Sequence, residues 1–202
     1  MAEYRTTCPK GMTLKQYAML GFLSASFLLG QVSAEVITSE EAQTGLSTWE
    51  WREAGISVLL VQRLPDQTRA FSQGRGFSNA EADSIAKACV FQTIFRNDGK
   101  HPLAYDTDDW RVNYRGERRP LLTRVRWDNT WRDGEASQAA RIAFRWSLFP
   151  TRQSFEPGDY NWGMTSFGLP PGESFDLSLI MTINGHVITS HIPAIACAAE
   201  QP

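Results

Sequence analysis

Cysteine, histidine and lysine are all scarce in this sequence of 202 residues. It contains three cysteines, three histidines, and four lysines against sixteen arginines. The G-x-S-x-G motif of serine hydrolases, the H-E-x-x-H motif of metalloproteases and the G-x-x-x-x-G-K-[ST] phosphate loop are absent. A formal net charge of −2 gives no long-range attraction toward nucleic acid. The sequence therefore leaves enzyme activity uncertain and favours a protein that is not an enzyme, with no cofactor and no nucleic-acid partner.

The few groups that bind metals through nitrogen or sulfur have unfavourable positions. His186 and His191 lie five residues apart on one predicted strand, so their side chains point to opposite faces. Met164 falls at an apolar alternation position, which is typical of a core methionine. We therefore predict no metal site, and keep these three residues as weak candidates for a copper or other metal carrier.

The first 34 residues have the three parts of a secretory signal. Arg5, Lys10 and Lys15 form a positive segment, residues 17–30 are almost wholly apolar or small, and Val32-Ser33-Ala34 provides a cleavage motif. We expect cleavage before Glu35 and export to the periplasm or beyond. The alternative is a membrane anchor, for which the apolar segment is shorter than the roughly 20 residues that a membrane-spanning helix needs.

Cysteine usage agrees with export. Cys8 lies in the signal, which leaves Cys89 and Cys197 in the mature chain. Two cysteines in an oxidising compartment most simply pair with each other. Metal-binding thiolates commonly show a close spacing such as C-x-x-C, which is absent here. We predict a Cys89–Cys197 disulfide.

The mature chain, residues 35–202, is predicted to be one mainly β domain. Apolar residues alternate with polar ones in about seven to nine segments, separated by turns such as Asn184-Gly185. Two of these predicted strands cover residues 122–127 and 140–148. A helical insertion is expected near residues 65–87, where Pro65 and Ser78 begin helices. The pattern favours an immunoglobulin-like antiparallel β-sandwich, with a small barrel as the alternative.

Arginine and tryptophan are concentrated between residues 110 and 132. We expect a partner-binding surface there, because both residue types are enriched at the energetic centres of interfaces. Its predicted residues are Trp110, Arg111, Arg124, Arg126, Trp127, Trp131 and Arg132. The alternative is a solvated sheet face on which arginines stack over aromatic rings and pair with acids.

Three hypotheses about function follow from these observations. The favoured one is an exported accessory protein that docks on an envelope protein complex or another anionic partner, with peripheral membrane association as a variant. A metal carrier is the first alternative. The second is a secreted hydrolase with an acidic site at Asp106, Asp108 and Asp109, since paired carboxylates can hydrolyse glycosidic bonds.

Overall fold

The computed structural model describes residues 34–131 and 136–200, so the predicted signal lies outside the described residues except for Ala34. The strands are β1 (Glu35–Glu40), β2 (Ser47–Glu53), β3 (Ile56–Gln62), β4 (Val90–Asn97), β5 (Leu103–Asp106), β6 (Arg111–Tyr114), β7 (Glu117–Arg119), β8 (Arg152–Phe155), β9 (Tyr160–Ser166), β10 (Ser174–Ile183) and β11 (His186–Ala196). The helices are α1 (Pro65–Gln73), α2 (Asn79–Ala86), α3 (Arg124–Thr130) and α4 (Gln138–Ser147). In these two ranges, no helix has the length and apolar character needed to cross a membrane.

Two antiparallel sheets contain the strands. The first sheet has the order β1-β2-β3-β4-β9. In the second, the order is β7-β6-β10-β5-β8, and β11 pairs with β10 along almost its whole length. Strands β5 and β6 pair with different parts of β10. The prediction of a mainly β protein with antiparallel sheets is confirmed, and two such sheets are consistent with a β-sandwich.

The main hydrophobic core contains the alternate residues of strands from both sheets. On β3, Ile56, Val58 and Leu60 are buried, and Leu177 and Leu179 of β10 belong to the same core. Burial of an aliphatic side chain of this size contributes about 1.5–3 kcal/mol to the free energy of unfolding. The period of two in the sequence therefore corresponds to one core-facing side per strand.

The Cys89–Cys197 disulfide is confirmed. Its two Cα atoms are 5.2 Å apart, and both cysteines belong to the main core. Cys89 directly precedes β4 in the first sheet, and Cys197 directly follows β11 in the second. The bond therefore links the two sheets covalently.

A second hydrophobic core lies between the helices and one end of the first sheet. It contains Ile85 of α2, Trp127 of α3, Phe144 of α4, Val90 of β4 and Met164 of β9. Helices α1 and α2 occupy the insertion predicted near residues 65–87, and α2 begins with a capping box between Ser78 and Glu81. The helices thus add a layer to the first sheet at the ends of β4 and β9.

Two segments predicted as strands are helices, so those two predictions are wrong. Residues 122–127 contain the start of α3, and residues 140–148 lie mostly in α4. In α4 the Ser137 hydroxyl accepts a hydrogen bond from the Ala140 N–H, which satisfies one of the free amides at the helix start. Ala140 and Phe144, four residues apart, then share the buried side of α4. Apolar residues at every second position fit a strand. The same pattern also contains apolar residues four positions apart, which fit one face of a helix.

Candidate functional site

The three tryptophans predicted to form an exposed aromatic surface are buried. Trp110 lies in the main core, where its indole N–H donates to the Ile180 carbonyl at 3.0 Å. Trp127 and Trp131 stack in the second core, with ring centroids 5.3 Å apart. The expectation of exposed rings at these positions is therefore wrong, because the rings fill the two cores.

The arginines of the same segment are separated by the fold. Arg111 is half-buried and donates to the backbone carbonyls of Asp108 and Trp110. Arg124 is half-buried in α3, and Arg126 is exposed on the same helix. Arg132 lies outside the described residues. The structure thus places Arg124 and Arg126 on different sides of α3, since they are two residues apart on a helix, and holds Arg111 elsewhere, at the start of β6.

The outer side of α4 is apolar although it faces solvent. Trp146 is 81% exposed and Ile142 is 49% exposed. Each is two residues from the buried Phe144, which places it about 160° around the helix from the core-facing side. Val125 of α3 is also exposed, at 56%. A largely exposed tryptophan is unusual in a protein that buries most of its tryptophans, and exposed apolar patches mark interaction sites.

Arginines lie beside these apolar residues. Residues 124–152 contain six arginines and three acids, Asp128, Asp133 and Glu135, whereas the whole chain carries a net charge of −2. Asp128 contacts Arg145 at 3.5 Å, which links α3 to α4. Among the described residues, neither Arg126 nor Arg141 forms an ion pair. We define the α3–α4 surface as Val125, Arg141, Ile142, Arg145 and Trp146.

Two clefts adjoin this surface and share Arg145. The first, of about 410 Å³, is lined by Asp128, Gln138, Arg141, Ile142 and Arg145. The second, of about 320 Å³, is lined by Asp108, Arg124, Val125, Arg145, Pro150, Thr151 and Arg152. Burial and the charge of Arg145 both lower the pKa of Arg124, in that order. The second cleft is therefore a place where guanidinium groups repel one another.

The α3–α4 surface is attached firmly to the first sheet. The Arg124 guanidinium donates to the Leu148 carbonyl at 2.8 Å, and Leu148 forms a bridge with Met164 of β9. The Phe149 N–H then donates to the Met164 carbonyl at 2.8 Å. These contacts hold the end of α4 at the edge of the sheet, where Trp162 of β9 is also exposed.

The acidic residues proposed for a hydrolase lie near a shallow groove. This groove, of about 670 Å³, is on the outer face of the second sheet, and Asp106, Asp109, Ser154, Thr182 and Val187 are among its lining residues. Asp106 accepts a hydrogen bond from Arg152, which raises the pKa of that guanidinium. The Thr123 hydroxyl donates to Asp108 at 2.9 Å. Two of the three carboxylates therefore hold neighbouring segments in place.

The weak metal candidates are not brought together. His186 and His191 have an odd separation on a strand whose register is regular between them, so they lie on opposite faces of the second sheet. Met164 is buried in the second core. Over residues 34–131 and 136–200, no three His, Cys, Asp or Glu side chains are grouped as metal ligands.

Sequence reasoning missed Ile142 and Trp146 as surface residues, and it did not include Arg141 and Arg145 in the predicted partner-binding surface. The strand interpretation placed the two apolar members in a core-facing row with Phe144. The available signal was the spacing of Ala140, Phe144 and Leu148 after the capping Ser137, which is typical of one helix face.

No protein-family model, curated protein or solved structure matches the chain. The inference about function therefore depends on the geometry described above.

Proposed function

We propose that the protein is an exported, non-catalytic binding protein that docks through its α3–α4 surface on an anionic partner in the cell envelope, such as an envelope protein complex. One observation carries this proposal: Trp146 and Ile142 are exposed on the side of α4 that packs on nothing in the described chain, beside arginines that exceed the local acids. Arginine and tryptophan together supply charge and large contact area, which is the composition of binding hot spots.

Export is supported by the disulfide, since such bonds persist mainly outside the reducing cytosol. The proposal includes removal of the signal before Glu35. Mass spectrometry of the protein from its native source should find Glu35 at the N-terminus. An intact N-terminus at Met1, recovered from membranes, would indicate an anchored protein instead.

We also propose that the two sheets form an immunoglobulin-like β-sandwich. Two antiparallel sheets linked by a disulfide support an immunoglobulin-like sandwich that serves as a rigid frame. Such a frame presents a binding surface without large rearrangement, so we expect docking to leave the backbone of the sheets unchanged.

The binding test uses envelope membranes from the source organism. The secreted protein is incubated with washed membranes at low and at high salt, and the bound fraction is measured by sedimentation. We expect the apparent affinity to fall about fivefold for Arg145→Gln and to fall similarly for Trp146→Ala. High salt should reduce binding of the wild type, because exposed charges are screened.

Two matched control variants lie away from the α3–α4 surface. Val187→Ser changes an apolar residue that is 70% exposed on β11, and Arg118→Gln changes an exposed arginine on β7. Both should bind as the wild type does. Equal binding by all four variants would show that the α3–α4 surface is not the docking site.

A further inference from the structure

The α3–α4 surface combines two features that few binding partners can satisfy at the same time. One is the pair of guanidinium groups of Arg141 and Arg145, which lie on the side of α4 that faces Asp128 of α3. The other is the apolar pair Ile142 and Trp146, which points away from the core. A partner must therefore offer negative charge and an apolar phase within one helix diameter of each other.

The geometry of α4 separates these two features in space. Seen along the helix axis, Ile142 and Trp146 lie opposite Phe144, whereas Arg141 and Arg145 lie about 60–100° from Phe144, on the side of α3. The apolar residues are consequently the most protruding part of the helix, and the arginines flank them. This is the arrangement of a helix that lies in the plane of a membrane interface.

We propose that the α3–α4 surface docks on a lipid bilayer that contains anionic phospholipid. Trp146 and Ile142 enter the interface between headgroups and acyl chains, where tryptophan is enriched in membrane proteins. Arg141 and Arg145 bind phosphate groups, with which guanidinium forms bidentate hydrogen bonds. This inference depends on the proposed function and names its anionic partner.

Charge complementarity selects a bilayer with negative headgroups. Both clefts that share Arg145 are open to solvent, and the guanidinium groups of Arg124 and Arg145 line the second, where a phosphate at the cleft mouth would meet both. Each arginine near an anionic membrane surface strengthens binding by a factor of about five at physiological salt. Arg141 and Arg145 together would then raise the partition coefficient about 25-fold over that for neutral lipid.

The test uses the secreted protein and protein-free vesicles of phosphatidylcholine, alone or with phosphatidylglycerol. We expect flotation with the anionic vesicles and at least tenfold weaker partitioning into the neutral ones. Arg141→Gln and Arg145→Gln should each reduce partitioning into anionic vesicles about fivefold, while Arg118→Gln leaves it unchanged. Free glycerol phosphate in the millimolar range should compete weakly, because it supplies the phosphate and lacks the apolar phase.

A second measurement reports how deeply Trp146 enters the bilayer, and it does not depend on the N-terminal segment. Lipids brominated near the headgroup should quench tryptophan fluorescence when the protein binds anionic vesicles. Trp146→Phe should abolish most of that quenching, whereas Trp162→Phe, at the other exposed tryptophan of the described chain, should retain it. Retention of quenching in Trp146→Phe would overturn the proposal.

Failure of this inference and failure of the proposed function give different results. If envelope membranes bind the protein through Arg145 and Trp146 but vesicles of the extracted lipids do not, the partner is a protein or polysaccharide and the lipid inference is wrong. If neither preparation binds, both are wrong. Equal partitioning into neutral and anionic vesicles also contradicts the lipid inference, since charge would then contribute nothing.

Discussion

The orientation of α4 can be tested by truncating its residues one at a time, because the helix and the strand alternatives assign them to different environments. In the structure, Phe144 is 2% exposed and its ring contacts Phe77, Trp127 and Trp131 at centroid distances of 5.6, 5.4 and 6.4 Å. Phe144→Ala removes a buried ring and leaves a cavity that the stiff aromatic neighbours fill poorly. We expect a loss of about 3–5 kcal/mol in the free energy of unfolding.

The same substitution two residues further along should have almost no effect. Trp146 is 81% exposed, so Trp146→Ala removes little buried area, and alanine favours the helix. The expected change is within about 0.5 kcal/mol, the usual range for surface positions. Ile142→Ala should change the free energy of unfolding by less than about 1 kcal/mol, since half of the side chain already contacts water.

The measurement is equilibrium urea unfolding followed by circular dichroism, with the disulfide intact in all variants. A common slope with urea would show that the variants unfold to the same extent, so differences in midpoint report stability. A strand over residues 140–148 would place Ile142, Phe144 and Trp146 in one buried row. If Trp146→Ala destabilises the protein as much as Phe144→Ala does, the helix assignment and the α3–α4 surface are both refuted.

Three further predictions concern the framework that carries this surface. Replacing both Cys89 and Cys197 with alanine removes a link between residues 108 positions apart, and should lower the free energy of unfolding by about 4–5 kcal/mol in the chain-entropy model; a change below about 1 kcal/mol in urea unfolding would contradict it. Gly163→Ala should destabilise by more than about 2 kcal/mol, because the added Cβ would lie 2.5 Å from a backbone nitrogen of the segment after α4; unchanged thermal unfolding would show that this segment is not packed there. Hydrogen bonds from Lys87 and Arg69 lower the pKa of Asp83. The ionised carboxylate therefore stabilises the folded state above the unfolded-state pKa of 3.8, and this stabilisation is lost as pH falls through the folded-state pKa. In Asp83→Asn the free energy of unfolding should fall less steeply below about pH 4 than in the wild type, and an identical pH dependence of unfolding would contradict this prediction.

Features with a local cause were predictable from the sequence. The Asn184-Gly185 turn joins β10 to β11, and both residues have positive φ, of 49° and 79°, as the tight hairpin turn requires. The disulfide followed from the presence of only two cysteines outside the predicted signal, Cys89 and Cys197. In both cases a few neighbouring residues, or a simple pairing rule, determine the outcome.

Burial of the tryptophans was not predictable in the same way. Trp127 and Trp146 both stand beside arginine in short amphipathic segments, yet one fills the second core and the other faces solvent. The difference depends on α2 and β9, which are distant in sequence and meet α3 and α4 only in the folded chain. Local arginine density directed attention to residues 110–132, whereas the exposure of Trp146 could be found only from the way α4 packs.

In the proposed mode of docking, stability and binding depend on opposite sides of α4, and this separation determines how variants should be interpreted. Phe144 holds the helix on the second core, and the hydrogen bond from Arg124 to the Leu148 carbonyl fixes its end. A substitution on the buried side would therefore weaken docking indirectly, by releasing the helix, and would also lower the free energy of unfolding. A substitution of Trp146 or Arg145 should weaken docking while the unfolding curve stays unchanged, because these side chains are largely exposed. Only that combination indicates direct contact with a partner. A variant that loses both binding and stability can be explained by disruption of the fold alone.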